Sequence, residues 1–285
     1  MKLYKLIMLV IIFGITLNAK SLRIEAKELS IHLKDYTILD TRSNTLYMEG
    51  HIKGALNFPI NLTYENDKIN GKLTNPIKIQ KIIRKLGLDI DSKIVVYDDG
   101  TFFDAARLFW SLEVYGFTNI KLLNTGYNEW LFDNYSTSVK LPYIVPSKYI
   151  VKINNKRLAT KFTTQIATAN PNQVIIDARA YKAYIGEISV AKRFGHIPKA
   201  IHIPATHNIN YGTNSIKLKT ITKLKNIYKD INKNKKVIIY CAIGKISSTN
   251  YFALRELGYD VSNYDSSWKE WGNDFNLPII NKTRN

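Results

Sequence analysis

One cysteine in 285 residues is the scarcest resource of this chain. It rules out an internal disulfide, and leaves Cys241 as either a small buried hydrophobe or a working thiol. Acidic residues are also few, 23 against 41 basic ones, giving a formal charge of +18. Arginine is nearly as scarce: nine of those cations are Arg and 32 are Lys. Such a field attracts small anions, nucleic acid or an anionic membrane surface. However, the chain lacks a basic cluster interleaved with stacking aromatics, zinc-finger spacing and a basic amphipathic helix, so nucleic acid is not an expected partner. No apolar run is long enough for a comfortable membrane span. The longest, Leu6 to Leu17, follows Lys2 and Lys5 and ends at Asn18-Ala19, the pattern of an export signal cleaved after Ala19. The expected location is therefore periplasmic or secreted, with membrane contact only if that segment stays uncleaved.

What is present is a duplication. Ile38-Leu39-Asp40-Thr41-Arg42 returns as Ile175-Ile176-Asp177-Ala178-Arg179, and His51-Ile52-Lys53-Gly54-Ala55 as His196-Ile197-Pro198-Lys199-Ala200. Ile94-Val95-Val96-Tyr97 returns as Val237-Ile238-Ile239-Tyr240, and Tyr127-Asn128-Glu129-Trp130 as Trp268-Lys269-Glu270-Trp271. The offsets are 137, 145, 143 and 141 residues, so order is kept with small insertions. The apolar content, 45%, supplies cores for two ordinary domains. In each half short β-branched runs alternate with helical patterns, predicting an α/β fold with a parallel sheet covered by helices on both faces. The expected boundaries are a signal over 1–19, a first domain over 20–140, a linker over 141–160 marked by Pro142 and Pro146, and a second domain over 161–285.

The spacing predicts helices over Asp104 to Tyr115 and Ser248 to Leu257, stopped by Gly116 and Gly258. Asp98 and Cys241 then share one context: the end of a buried strand, a tight loop and a helix N-terminus. Ligands gather at the carboxyl ends of such strands. Loop N–H groups and the helix dipole both favour the thiolate of Cys241 over its thiol. Gly244 permits the curl, Ser247 or Ser248 is placed to cap the helix, and Lys245 adds a cation. A thiolate held so can attack the outer sulfur of a donor and keep it as a persulfide, without a separate general base.

Both halves resemble rhodanese domains over essentially the whole chain after the signal. The stretch Tyr264-Asp265-Ser266-Ser267-Trp268-Lys269-Glu270-Trp271-Gly272-Asn273-Asp274 is similar to the family's end signature, with Ser266 where Gly is usual. Tyr47-Met48-Glu49-Gly50-His51-Ile52-Lys53-Gly54-Ala55 is similar to its amino-terminal signature. The resemblance implies two tandem rhodanese-like domains, a persulfide on Cys241 and a catalytically silent first half, since Asp98 stands at the cysteine position. It implies a small anionic sulfur donor, a thiol or cyanide acceptor, and no cofactor or metal; a sulfur-accepting protein is a further candidate partner. Candidate substrate-binding residues are Ala242, Ile243, Gly244, Lys245, Ile246 and Ser247, with Arg179 and Lys182 from the preceding Asp-x-Arg segment. Arg179 is equally read as an internal ion pair that orders its loop, and Lys182 as a solvated lysine. Members that use 3-mercaptopyruvate usually carry a Gly-Ser-Gly loop and a second Arg where this chain has Ala183, which points instead to thiosulfate. Bacterial members with the form Cys-x-Ile-Gly-x-x-Ser-Ser usually have arginines where this chain has Ala242 and Ile246. A phosphatase of the Cys-x5-Arg kind is disfavoured by Ser247, while an extracytoplasmic carrier of polysulfide or sulfane sulfur, a 3-mercaptopyruvate sulfurtransferase and a degenerate interaction module are the rival readings.

Overall fold

The computed structural model describes residues 21–65 and 71–283. The expected export signal lies outside them, and no helix among the described residues is long and apolar enough to cross a membrane.

Two five-stranded parallel sheets repeat one strand order. In the first, Arg23–Ile24, Ile120–Leu123, Ile94–Tyr97, Thr37–Asp40 and Leu56–Asn57 lie side by side. In the second, Leu158–Ala159, Val261–Tyr264, Lys236–Tyr240, Gln173–Asp177 and Ile201–His202 do the same. The central strands are apolar along their length because helices cover both faces. Leu39 and Val96 point to one core while Ile38, Val95 and Tyr97 point to another, the period of two that a strand imposes.

The inward core is shared. Leu39, Val96 and Phe109 belong to the same apolar cluster as Ile176, Ile239 and Phe252 of the second half. Helices Phe103–Val114 and Ser247–Glu256 meet there, with Phe252 edge-on to Phe102 and Phe109 at 5.7 and 4.8 Å between ring centres. Burying each such ring contributes about 2 kcal/mol. A polar seam closes the contact: Glu113 accepts from Arg255 Nη2 at 2.6 Å and from the Tyr251 hydroxyl at 2.5 Å.

The two helices start one residue before the positions predicted from spacing, and Gly116 and Gly258 end them in the left-handed region at φ 99° and 79°. The stretch read as a linker is packed rather than free. Tyr149 stacks on Phe117 and donates to the Tyr115 carbonyl at 2.5 Å, and Leu158–Ala159 is already an edge strand of the second sheet.

Candidate active site

Strand Lys236–Tyr240 delivers Cys241 to its carboxyl end, and helix Ser247–Glu256 begins six residues later. The loop between turns on Gly244, at φ +72°, where a Cβ would lie 2.4 Å from the Asp265 carbonyl oxygen. Only glycine fits. The Cys241 side chain is fully buried in a small cluster with Ala178 and Ala205, and Ile246 packs over it. Its backbone N–H donates to Ser267 Oγ at 3.1 Å, and Ser267 in turn donates to the Tyr264 carbonyl.

Ser247 does not cap its helix. Neither does Ser248, whose hydroxyl donates to the Gly244 carbonyl at 3.1 Å; Ile246 occupies the cap position without a side-chain bond. Ser247 Oγ lies 3.3 Å from Cys241 Sγ and 2.8 Å from Asn263 Oδ1. The hydroxyl has one proton to give. With a thiol present it gives that proton to Asn263 and accepts from sulfur; with a thiolate it can turn and donate to sulfur. Asn263 is held for this by its own amide, which donates to the Gly244 carbonyl and Ser248 Oγ.

Beside the loop opens a pocket of about 250 Å³ lined by Ala180, Ala183, Ile188, Val190, Ala242 and Ile246, with Ser189 and Arg179. Of the sequence-predicted residues, Ala242, Ile246 and Arg179 line it, while Gly244 and Ser247 shape the loop behind. Arg179 is the charged residue among those lining the pocket, and it is committed elsewhere: Nε and Nη2 hold both oxygens of Asp177 at 2.6 to 3.1 Å, and Nη2 also reaches the Gly195 carbonyl. Lys245 turns to the first domain, where Nζ meets Asp104 Oδ1 at 2.6 Å. Lys182 is 72% exposed, reaches toward Glu187, and does not line the pocket. Ile243 packs its carbonyl against Gly71 of the first domain rather than facing the pocket.

Several contributors escaped sequence reasoning, Ala180 and Ser189 of the pocket lining among them. Ile188 and Val190 belong to the extra residues that raise the repeat offset from 137 to 145, and that step was their signal. Asn263, fully buried in a strand, was signalled by a residue type that strands disfavour. Arg107 had no signal. It lies fully buried on the helix of the first domain, donates Nη1 to the Gly244 carbonyl and Nη2 to the Gly71 carbonyl, and stacks over Tyr64 at 3.8 Å. Burial pulls its pKa below the ordinary arginine value. Among the described residues no group of three or more His, Cys, Asp or Glu could hold a metal ion.

The rhodanese-like domain profile matches residues 25–133 and again 159–274. This chain belongs to the rhodanese family. A protein of Mycobacterium bovis called SseA, which carries a provisional thiosulfate sulfurtransferase name, is 30% identical over 249 residues, covering 82% of this chain and 81% of that protein. The sulfur carrier protein TtuD of Thermus thermophilus is 29% identical over 251 residues, covering 82% and 86%. The crystal structure of the 3-mercaptopyruvate sulfotransferase SseA of Escherichia coli superposes with a TM-score of 0.76 at 26% identity, covering 87% of this chain and 99% of that one.

In the first rhodanese domain the strand-end residue is Asp98, which is buried. Its carboxylate accepts from the N–H groups of Gly100 at 2.9 Å and Ala105 at 3.3 Å, fastening the loop and the start of the helix. Burial, with Asp99 close by, lifts its pKa to about 6.

Proposed function

We propose that this rhodanese is a sulfurtransferase that takes sulfane sulfur from thiosulfate onto Cys241 and passes it to a thiol or to cyanide. The observation that carries the reading is the Cys241 thiol set at a strand end, 3.3 Å from a serine hydroxyl that can turn to a thiolate, behind a pocket reaching the loop. The thiolate attacks the outer sulfur of the donor, sulfite leaves with the electron pair of the broken S–S bond, and a Cys241 persulfide remains. Ser247 stabilises the negative sulfur in both states, and the Gly244 curl held by Arg107 and Asn263 fixes where that sulfur sits. Because the thiol is fully buried beneath Ile246, a donor enters across Ala242 and Ile246, and Ile246 must shift to admit it. The name of the mycobacterial relative supports thiosulfate as donor; that of the Escherichia coli protein supports 3-mercaptopyruvate, although Ala183 and the neutral loop offer its carboxylate no free cation.

A second reading, a sulfur carrier that hands its persulfide to a protein partner, is supported by the likeness to TtuD and uses the same chemistry at Cys241. Mass spectrometry after thiosulfate tests both. One sulfur atom added to the intact protein and absent in Cys241→Ser is the expected result; no addition with thiosulfate, polysulfide or mercaptopyruvate overturns both readings. Rapid sulfite and thiocyanate production with cyanide then favours the enzyme over the carrier.

A further inference from the structure

We propose that the face built by residues 219–236 lies against an anionic lipid bilayer and holds the protein at a membrane surface. These eighteen residues carry seven lysines and one acidic residue, Asp230, whereas the whole chain has 32 lysines in 285 residues. The excess is local, so a general drift toward lysine does not account for it. Nor does one amphipathic helix carry it. Helix Ile221–Ile227 supplies Lys223 and Lys225, its entry supplies Lys219, and the segment after it supplies Lys229, Lys233, Lys235 and Lys236. Leu224 and Tyr228 bury the inner side in the shared core, while Lys223, Lys225, Lys229, Lys233 and Lys236 are exposed.

This charge is not spent inside the protein. Lys121, Lys161, Lys182 and Lys217 each meet a carboxylate. Among the described residues none of the seven does; Lys219 and Lys233 donate to the carbonyls of His207 and Leu257. Between Lys219 and Lys223 the surface is hollow, a space of about 420 Å³ lined also by Thr222, Asn226 and Ile227. A hydroxyl and an amide beside two ammonium groups form a donor set that suits a lipid phosphate. A charged bilayer, unlike a single small anion, meets all seven lysines at once. Nucleic acid is the poorer match: the segment's one aromatic residue, Tyr228, is fully buried, so nothing between the lysines offers a base a stacking platform.

A second observation places the membrane on this side. Residues 1–20, with Lys2, Lys5 and the apolar run Leu6 to Leu17, join the fold at Ser21. Ser21 Oγ and the Leu22 N–H donate to Glu256 at 2.8 and 2.7 Å, and Arg23 Nε donates to the same carboxylate at 2.9 Å. Arg23 Nη1 then reaches the Lys219 carbonyl at 3.1 Å, and Lys233 closes on Leu257 beside Glu256. The chain therefore enters against both ends of the basic segment, and Arg23 neutralises the acidic group there. An apolar run set in a bilayer brings this face to the lipid. Cleavage after Ala19 would instead leave Lys20 and a new amino terminus beside it, which adds positive charge to the same side.

The test is co-sedimentation of the whole chain with vesicles of pure phosphatidylcholine and of phosphatidylcholine mixed with phosphatidylglycerol. The apolar run acts on both kinds of vesicle, so the ratio of the two partition coefficients isolates charge. That ratio is expected to exceed about 100 at low salt and to fall toward one in about 1 M salt. Lys223→Gln, Lys225→Gln and Lys229→Gln together are expected to lower it at least about tenfold, since a lysine near an anionic surface is worth up to about fivefold. Removing as many charges from helix Pro76–Lys85 of the first half, by Lys78→Gln, Lys81→Gln and Lys85→Gln, is expected to lower it less than about threefold. All six positions are exposed, so both variants are expected to fold, which circular dichroism checks. A ratio near one in the unaltered protein, or equal losses from the two triple variants, overturns the proposal. Mixed vesicles that fail to displace the protein from poly-U RNA assign the face to nucleic acid and overturn it as well.

Discussion

The two halves of this molecule build the same frame and put different chemistry in it. Arg42 and Arg179 each grip an aspartate two residues back, and each sends Nη2 to a glycine carbonyl at 2.7 Å, Gly50 in one half and Gly195 in the other. Tyr97 and Tyr240 each donate to that aspartate, at 2.5 and 2.6 Å, and each accepts a backbone N–H from the isoleucine of the repeated His-Ile pair. His51 and His196 stack on Tyr47 and Tyr184 at 3.9 and 4.0 Å. One residue past the tyrosine the halves part. Asp98 spends its carboxylate on its own loop and helix, whereas Cys241 makes no such bond and leaves its sulfur to Ser247. The strand-end position is therefore a socket that the frame holds open. Filled by an acceptor it closes the loop on itself; filled by a thiol it keeps a nucleophile.

The largest break of this comparison is at the nucleophile. Cys241→Ser is expected to lower sulfur transfer by more than about 10³-fold and abolish the added sulfur seen by intact mass, while Asp98→Asn leaves both in place. Next comes the strut between the halves. Arg107→Met keeps the bulk but leaves the Gly71 carbonyl without its donor, at a cost of about 1–3 kcal/mol for that buried group, and takes one of three donors from the Gly244 carbonyl. Transfer by the folded variant is expected to fall by roughly 10–100-fold, because a loop misplaced by about 1 Å loses that much. Steady-state kinetics beside urea unfolding separates the two effects. Unchanged kinetics in the folded variant would make Arg107 purely structural.

Much of this was readable beforehand. Repetition of Asp-x-Arg, His-Ile and a β-branched run ending in tyrosine located both sheets and the socket, because each pattern reports a local demand of strand or loop. The roles of Ser247 and Lys245 were not readable. Adjacency to a helix start made Ser247 a cap, yet a strand distant in sequence supplies Asn263 and draws the hydroxyl inward. Lys245 looked like a cation for the substrate until the other half brought Asp104 to it. Arg107 acts across 137 residues of chain, a contact that no local pattern encodes.

A smaller effect sharpens the contrast at the sulfur itself. Ser247→Ala removes the hydroxyl 3.3 Å from Cys241 Sγ and leaves Asn263 Oδ1 unpaired. Loss of one donor to a developing or resting thiolate is expected to slow persulfide formation about tenfold. Rapid-quench mass spectrometry measures the rate, and an unchanged rate would remove Ser247 from the chemistry.

The smallest effect on transfer, none, belongs to Asp98→Asn, and its signature is in stability. The folded-state pKa of Asp98 is raised to about 6 because burial penalises its charged form. Below pH about 4 the carboxyl is protonated folded or unfolded, and the shift costs nothing. Between there and pH 6 the unfolded chain releases the proton first, so stability falls as pH rises; above pH 6 the full penalty is present, roughly 3 kcal/mol. Asparagine has no charge to bury, but it keeps an acceptor only for Gly100 and turns its NH₂ toward the Ala105 N–H, a cost of about 1 kcal/mol at every pH. The variant is therefore expected to be more stable than the unaltered protein at pH 7.5 and less stable at pH 3.5, the two urea midpoints crossing between. A difference independent of pH would mean that Asp98 is ionised at no cost.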